Sequence, residues 1–207
     1  MHLIDIHTHN LGADSRHAIL NCTCHIPGRH ISLGIHPWDI TECWQQQFTA
    51  IEKAITEQNV IAIGECGLDR LKSPADIELQ KEIFRAHALL AEKAGKPLII
   101  HCVKAHDGLI AMHREIKPQQ AWIIHGFRGK PSQALQLARA GFYISLGEQF
   151  NPDSAKAIPT DRLFIESDES SATIADIYAA VAKAKGISIE ELALQTMQNA
   201  TECSIIL

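Results

Sequence analysis

The sequence predicts an α/β fold: a (β/α)8 TIM-type barrel in which the helices after strands 1 and 2 are shortened or missing. Three observations predict it. Short apolar, β-rich runs recur, most of them separated by helical patterns. Residue types that bind metals gather at the same end of these runs. Two connections are too short for a crossover helix, which needs ~10–12 residues with its turns. At 207 residues the chain is near the lower limit for a barrel, where ~250 is typical. One domain spanning 1–207 is expected.

The strands are read at His2–His7, Ala18–Thr23, Ile31–Ile35, Val60–Glu65, Pro97–Cys102, Ala121–His125, Phe142–Leu146 and Arg162–Ser167. Continuous apolar runs such as Ile61-Ala62-Ile63 and Leu98-Ile99-Ile100 suit parallel strands buried on both faces. Helical patterns cover Trp44–Gln58 after a Thr41 cap, Ala75–Ala94, His106–Ile116, Ser132–Ala140, Ala172–Lys185 and Ser188–Asn199. Gly95-Lys96-Pro97 stops the second, Gly186 separates the last two, and Ser188 with Glu191 reads as a capping box.

The formal net charge of −5 gives no global attraction for a polyanion, which argues against a module dedicated to binding nucleic acid. The 6 cysteines include no Cys-x-x-Cys pair, and several lie in apolar runs, so reduced core thiols are expected. No basic leader precedes an apolar stretch and no apolar run approaches ~18 residues, so a cytoplasmic chain with no membrane contact and no obligatory protein partner is expected. The 12 histidines stand out, because histidine is the commonest metal ligand.

In a parallel barrel the C-terminal strand ends converge on one face, where active sites form. Strand 1 ends in Asp5-Ile6-His7-Thr8-His9, and strand alternation points His7 and His9 to the same side. Strand 3 ends at His36, strand 4 at Glu65, strand 5 at His101, strand 6 at His125 and strand 8 at Glu166-Ser167-Asp168. Taken singly, His101 or His125 would read as a hydrogen-bonded core histidine, and Asp168 as a helix cap. Glu65 is harder to explain structurally, since a buried carboxylate without a partner costs several kcal/mol. Together the residues point to a metal site.

Their order resembles the TatD family of metal-dependent hydrolases, within the wider amidohydrolase-like barrels. The blocks that carry the resemblance are Asp5-Ile-His7-Thr-His9, Gly34-Ile-His36-Pro37, Gly64-Glu65-Cys-Gly67-Leu68-Asp69, Gln80 and Phe84 with Leu90-Ala91 ahead of Lys96-Pro97, His101, His125-Gly-Phe127-Arg-Gly129, and Glu166-Ser-Asp168. The resemblance implies two divalent metal ions, Mg or Mn for activity, with Zn, Ni or Fe also suited to the donors. His7, His9 and Asp168 would hold one, Glu65 would bridge both, and His101 with His125 would complete the second. It further implies phosphodiester hydrolysis by a hydroxide bridging the metals, with a nucleic-acid end, DNA foremost, as substrate. Asp168 is the expected proton acceptor, and His36 is expected to touch a substrate phosphate oxygen rather than a metal. Asp69 is expected to orient a ligand, and Phe127 to pack rather than stack on a base.

Arg70, Lys72, Lys104, Arg128 and Lys130 follow strands 4 to 6 and would form a cationic lip, with Lys104 and Arg128 as candidate substrate contacts. The family pattern is not followed everywhere. Val103 stands where an Arg is common, Glu169-Ser170-Ser171 replaces small residues and Pro after the Glu-x-Asp motif, and the block at Asn199 matches only loosely. The competing readings are a PHP-type phosphoesterase, an amidohydrolase-like amide or ester hydrolase, and a non-catalytic metal-stabilised binding protein. Gly34-Ile-His36-Pro37 and the block around Glu65 argue against the first. Glu65 in place of a bridging Lys argues against the second.

Overall fold

The computed structural model describes residues 2–207. Its sheet has eight parallel strands, each paired to the next in chain order: β1 (Asp5–Thr8), β2 (Ala18–Cys22), β3 (Ile31–Leu33), β4 (Val60–Asp69), β5 (Leu98–Val103), β6 (Trp122–Ile124), β7 (Tyr143–Leu146) and β8 (Leu163–Ile165). The last strand returns to the first through one bridge, Thr8 to Asp168. There the His9 N–H donates to the Asp168 carbonyl at 3.1 Å and the Asp168 N–H to the His7 carbonyl at 3.0 Å. The expected barrel is therefore present and nearly closed.

Among the described residues seven α-helices accompany the strands: α1 (Trp44–Ala54), α2 (Ile77–Ala94), α3 (His106–Ile116), α4 (Pro131–Arg139), α5 (Pro152–Ala157), α6 (Ile174–Lys185) and α7 (Ile189–Glu202). The connections 9–17 and 23–30 contain none, as their lengths require. No helix among the described residues is long and apolar enough to cross a membrane.

Several boundaries differ from the sequence reading, each for a local reason. β4 runs four residues past Glu65 because Gly67, Leu68 and Asp69 pair with His101, Cys102 and Val103. α1 ends at Ala54, and Thr41 does not cap it: its hydroxyl accepts from the Cys43 N–H, just ahead of the helix. α5 was not foreseen; Asn151 caps it by accepting from Asp153 and Ser154. Thr173 caps α6 in a reciprocal pair with Asp176, so Asp168 caps nothing there. Ser188 accepts from the Glu191 N–H at the start of α7. Gly95 and Gly186 end α2 and α6 in the left-handed conformation, as expected.

Both faces of the strands are buried, which explains their unbroken apolar runs. Ile99, Ile123 and Phe164 share a strand face with His101, His125 and Glu166 two residues on, and they pack in one cluster with Ala200 of α7 and with Cys203 and Ile205 just after it. Ile100, Ile124 and Ile165, on the other face, pack with Phe84, Leu109, Leu137 and Val181 of the helices. The functional residues thus stand on a rigid apolar floor. All six cysteines are free: Cys22, Cys66 and Cys203 are buried, whereas Cys24 and Cys43 are exposed, contrary to a wholly internal set.

Candidate metal centre

Glu65 is the hub. Its carboxylate is 5% exposed, and its two oxygens face different sets of imidazoles. Oε2 lies 3.3 Å from His7 Nε2 and 3.6 Å from His9 Nε2. Oε1 lies 2.7 Å from His125 Nε2, 2.9 Å from His101 Nδ1 and 3.1 Å from His36 Nε2. Local sequence makes this approach possible. A Cβ on Gly64 would come within 2.3 Å of the Ile99 carbonyl oxygen and one on Gly67 within 1.9 Å of that of His101. Glycine at both positions lets β4 close on β5 around the carboxylate, where the strand register shifts between Ile63 and Cys66.

The second nitrogens of two histidines are also directed at carboxylates. His101 Nε2 lies 3.0 Å from Asp69 Oδ2, which also accepts from the Trp38 indole N–H at 2.7 Å. Gln80 fixes Asp69 from the helix side by accepting its backbone N–H at 2.7 Å. His125 Nδ1 lies 3.4 Å from Glu166 Oε1, on a fully buried side chain that accepts from the Gly126 N–H. A carboxylate behind an imidazole orients the ring and leaves its other nitrogen free to face an ion.

Closure of the barrel supplies the rest. Asp168 sits where β8 meets β1, in the left-handed conformation with φ 52°, and its Oδ1 lies 3.7 Å from Nε2 of both His7 and His9. Ser167 ties the seam together by donating its N–H and hydroxyl to Asp5 at 2.9 and 2.5 Å. Burial pushes the Asp5 carboxyl up to about 7, against the pull of these bonds.

All six residues expected to hold metal therefore meet at one mouth of the barrel. Three groupings each offer ligand atoms within 4.8 Å of one another: His7, His9 and Glu65; His7, His125 and Asp168; His36, Glu65 and His101. The donors fit divalent cations on a second count. His7 is fully buried, yet neither of its ring nitrogens has a hydrogen-bond partner. A buried orphan of this kind calls for an explanation such as an ion.

A family model described as TatD related DNase matches residues 8–204. The chain belongs to the TatD-related DNase family. It is 30% identical over 194 residues to the Bacillus subtilis protein named uncharacterized metal-dependent hydrolase YabD, an alignment covering 83% of this chain and 75% of that one. The Escherichia coli metal-dependent hydrolase YcfH is 30% identical over 190 residues, covering 81% and 71%. A protein of Erwinia tasmaniensis named 3'-5' ssDNA/RNA exonuclease TatD is 30% identical over 146 residues, covering 65% of this chain and 56% of its own. Among solved structures, the TatD homologue YjjV of Escherichia coli superposes with a TM-score of 0.80 at 17% identity, over 98% of this chain and 97% of that one. A TatD family hydrolase from Entamoeba histolytica gives 0.74 at 19% identity, over 98% of each. At these identities the superpositions speak to the fold alone.

In this TatD-family chain the charges within the cluster are strongly coupled. Burial alone would push Glu65 up, but the imidazoles of His125, His101 and His36 outweigh it and hold the carboxyl well below its usual range. Burial acts downward on His125, and the Glu65 and Glu166 carboxylates reverse it and hold the imidazole well above its ordinary value. Asp69 is drawn down to about 2: burial opposes, while the Trp38 and His101 N–H groups and the Leu71 and Lys72 amides prevail.

A cleft of about 840 Å³ leads from the centre over β4 to β6, and Arg70, Lys72, Lys104 and Arg128 line it. Four of the five residues expected to form a cationic lip thus line it, whereas Lys130 does not, and Asp107, Asp168 and Glu169 line it with them. Lys104 is held out by a left-handed backbone with φ 54°, and the Arg128 guanidinium donates to Gln149 at 2.7 Å. Phe127 is buried and packs. Sequence reasoning missed Trp38 and the pairing of Glu166 with His125. The second was visible in Glu166-Ser-Asp168, since residues two apart share a strand face; the first carried no signal beyond its place after His36-Pro37.

Proposed function

We propose that the chain is a metal-dependent phosphodiesterase, a nuclease acting on nucleic-acid ends, with DNA foremost. The observation that carries this reading is the placement of Glu65, one buried carboxylate whose two oxygens face two sets of histidines. In this reading His7, His9 and Asp168 would hold one divalent ion, His101 and His125 would hold a second, and Glu65 would serve both, with Mg or Mn for activity. When bound, the ions supply an acidified water and neutralise charge on the phosphodiester.

The chain's own residues do the remainder. Hydrolysis forms a P–O bond to the water oxygen and breaks the ester P–O bond. Asp168, partly open to the cleft, accepts the proton that the water loses. His36 takes a different part from its neighbours. Its Nδ1 accepts the Trp38 backbone N–H at 3.1 Å, so the neutral ring carries its proton on Nε2. That N–H points at Glu65 and is suited to a phosphate oxygen rather than to a metal. Lys104 and Arg128 provide positive charge for the substrate, Lys104 compensating for Val103 where an Arg is common in the family.

Bis-p-nitrophenyl phosphate and single-stranded DNA, offered with Mn or Mg, test the proposal. Turnover that disappears in EDTA and returns with metal is expected. In His36→Ala the metal content stays and turnover falls. A metal-loaded chain that cleaves neither compound would remove the reading and favour a non-catalytic metal-binding protein.

A further inference from the structure

Asp168 is followed by a second carboxylate, Glu169, at a position where the chain departs from the family pattern. Glu169 is exposed, and it lines all three openings beside the metal centre. These are the cleft over β4 to β6, a pocket of about 370 Å³ beyond β7 and β8, and a groove of about 530 Å³ over β1 to β3. Its place is fixed from both sides. Asp168 is tied to His7 and His9 by the backbone bonds of the seam. On the other side the Ser170 N–H donates to the Ser167 carbonyl at 2.8 Å, and the Ser170 hydroxyl to Glu148 at 2.5 Å. The backbone beneath Glu169 is therefore pinned while its carboxylate faces water.

No neighbour neutralises this carboxylate. The ion pairs of the mouth run from Glu65, Asp69, Asp168 and Glu166 to histidines; among the described residues none engages Glu169. It is nonetheless close enough to act on the centre. Glu65 foremost, against burial, holds the His9 imidazole above its ordinary value, and Asp168 and Glu169 add to the effect. Arg128 shares the first two openings with Glu169 and offsets it there. The groove over β1 to β3 has Asp39 beside Glu169 and no Lys or Arg among its lining residues.

We propose that Glu169 is a specificity-determining residue, admitting phosphodiesters whose ends carry a free hydroxyl and disfavouring those that end in a phosphate. The inference rests on the phosphodiesterase reading above and narrows its substrate class. A diester brings one negative charge to the centre, and the ions would receive it. A terminal phosphate adds nearly two more, and these meet no ion of their own. In water a like charge at ~6 Å weakens binding about threefold. Glu169 acting on both charges of a terminal phosphate is then worth about tenfold. A sugar hydroxyl in the same place carries no charge and can donate to the carboxylate. Selection of this kind is electrostatic, so it fades as salt shortens the screening distance.

The test compares thymidylyl-thymidine with its 5′-phosphorylated and 3′-phosphorylated forms, each with Mn and each relative to bis-p-nitrophenyl phosphate. At ~0.01 M salt the wild type is expected to prefer the free hydroxyls over one phosphorylated form or both by about tenfold in kcat/KM. The isosteric Glu169→Gln should bring the three forms level, whereas Glu169→Asp keeps the preference. At ~1 M salt, where screening is nearly complete, wild type and Glu169→Gln should converge. Glu78→Gln, on the exposed side of α2, leaves the preference unchanged. The metal content of Glu169→Gln, read by mass spectrometry, should equal that of the wild type. Equal preferences in wild type and Glu169→Gln at low salt, or a difference that persists at high salt, overturn the inference and leave the phosphodiesterase reading intact. Loss of metal in Glu169→Gln does the same by making Glu169 a ligand of the centre. So does a wild type that cleaves bis-p-nitrophenyl phosphate but no dinucleotide. A metal-loaded wild type inactive on all of these compounds removes the phosphodiesterase reading itself.

Discussion

The wall formed by β4 and β5 and the seam where β8 meets β1 supply the same metal centre by opposite means. The wall is registered from Ile63 against Leu98 to Asp69 against Val103, and its two ligand-type residues, Glu65 and His101, are buried. Asp69, Gln80 and Trp38 brace it from behind. The seam has a single bridge, and two of its side chains are more open: His9 is 39% and Asp168 26% exposed, while His7 is buried. The difference separates two tasks. In the proposed reading, the residue that would hold two cations sits on a rigid strand pair, whereas the one that would pass a proton to and from water has access to the cleft.

The largest expected effect falls on the wall. Glu65→Ala should empty both metal positions at once, because both sets of histidines lose the same carboxylate; metal analysis by mass spectrometry reads this directly. Full occupancy in that variant would break the comparison. Asp168→Asn, on the seam, should keep most of its metal and lose turnover by ~10²–10⁴-fold, the usual contribution of a positioned proton acceptor. A variant that instead lost the ion at His7 and His9 would make holding that ion, rather than taking a proton, the main part of Asp168.

Much of this division was legible in the chain. Strand polarity sorted His7, His9, His36, Glu65, His101, His125 and Asp168 to one end of the barrel, and the short spacings after strands 1 and 2 revealed the missing helices. What escaped did so for physical reasons. The fourth strand was read only to Glu65, yet Gly67 lets β4 run on beside β5 as far as Asp69. α5 is six residues long, too short for a helical stripe to show. The support given to His101 by Asp69, Trp38 and Gln80 joins residues from separate elements, and no local pattern records it. Nor does spacing reveal that the Trp38 ring packs edge to face against His36 and His101.

Two smaller effects sharpen the account of the wall. Asp69→Asn removes the charge behind His101 and should weaken binding of one ion by ~10–100-fold, leaving the ion at His7 and His9 almost unaffected; a two-step Mn titration separates them. The last effect is absent at neutral pH. His87 of α2 is buried, donates from Nδ1 to the Ile83 carbonyl and accepts the Ile35 N–H, next to His36. Burial pulls its pKa down to about 4 from an ordinary 6.5. The imidazole is thus neutral in the fold but charged in the unfolded chain below 6.5. Its part in stability is whole above that pH and declines as pH falls toward 4, by about 3 kcal/mol in all. Urea unfolding of metal-free protein at pH 7.5 and 4.5 should show a smaller acid loss in His87→Gln than in the wild type. Equal losses would place the acid sensitivity elsewhere.

Anomalous diffraction from crystals soaked in Mn tests the central claim most directly. The account predicts two peaks ~3.5–4 Å apart, one on each side of the Glu65 carboxylate, the first against His7 and His9 and the second against His101 and His125. A single peak, or two that do not share Glu65, would contradict it.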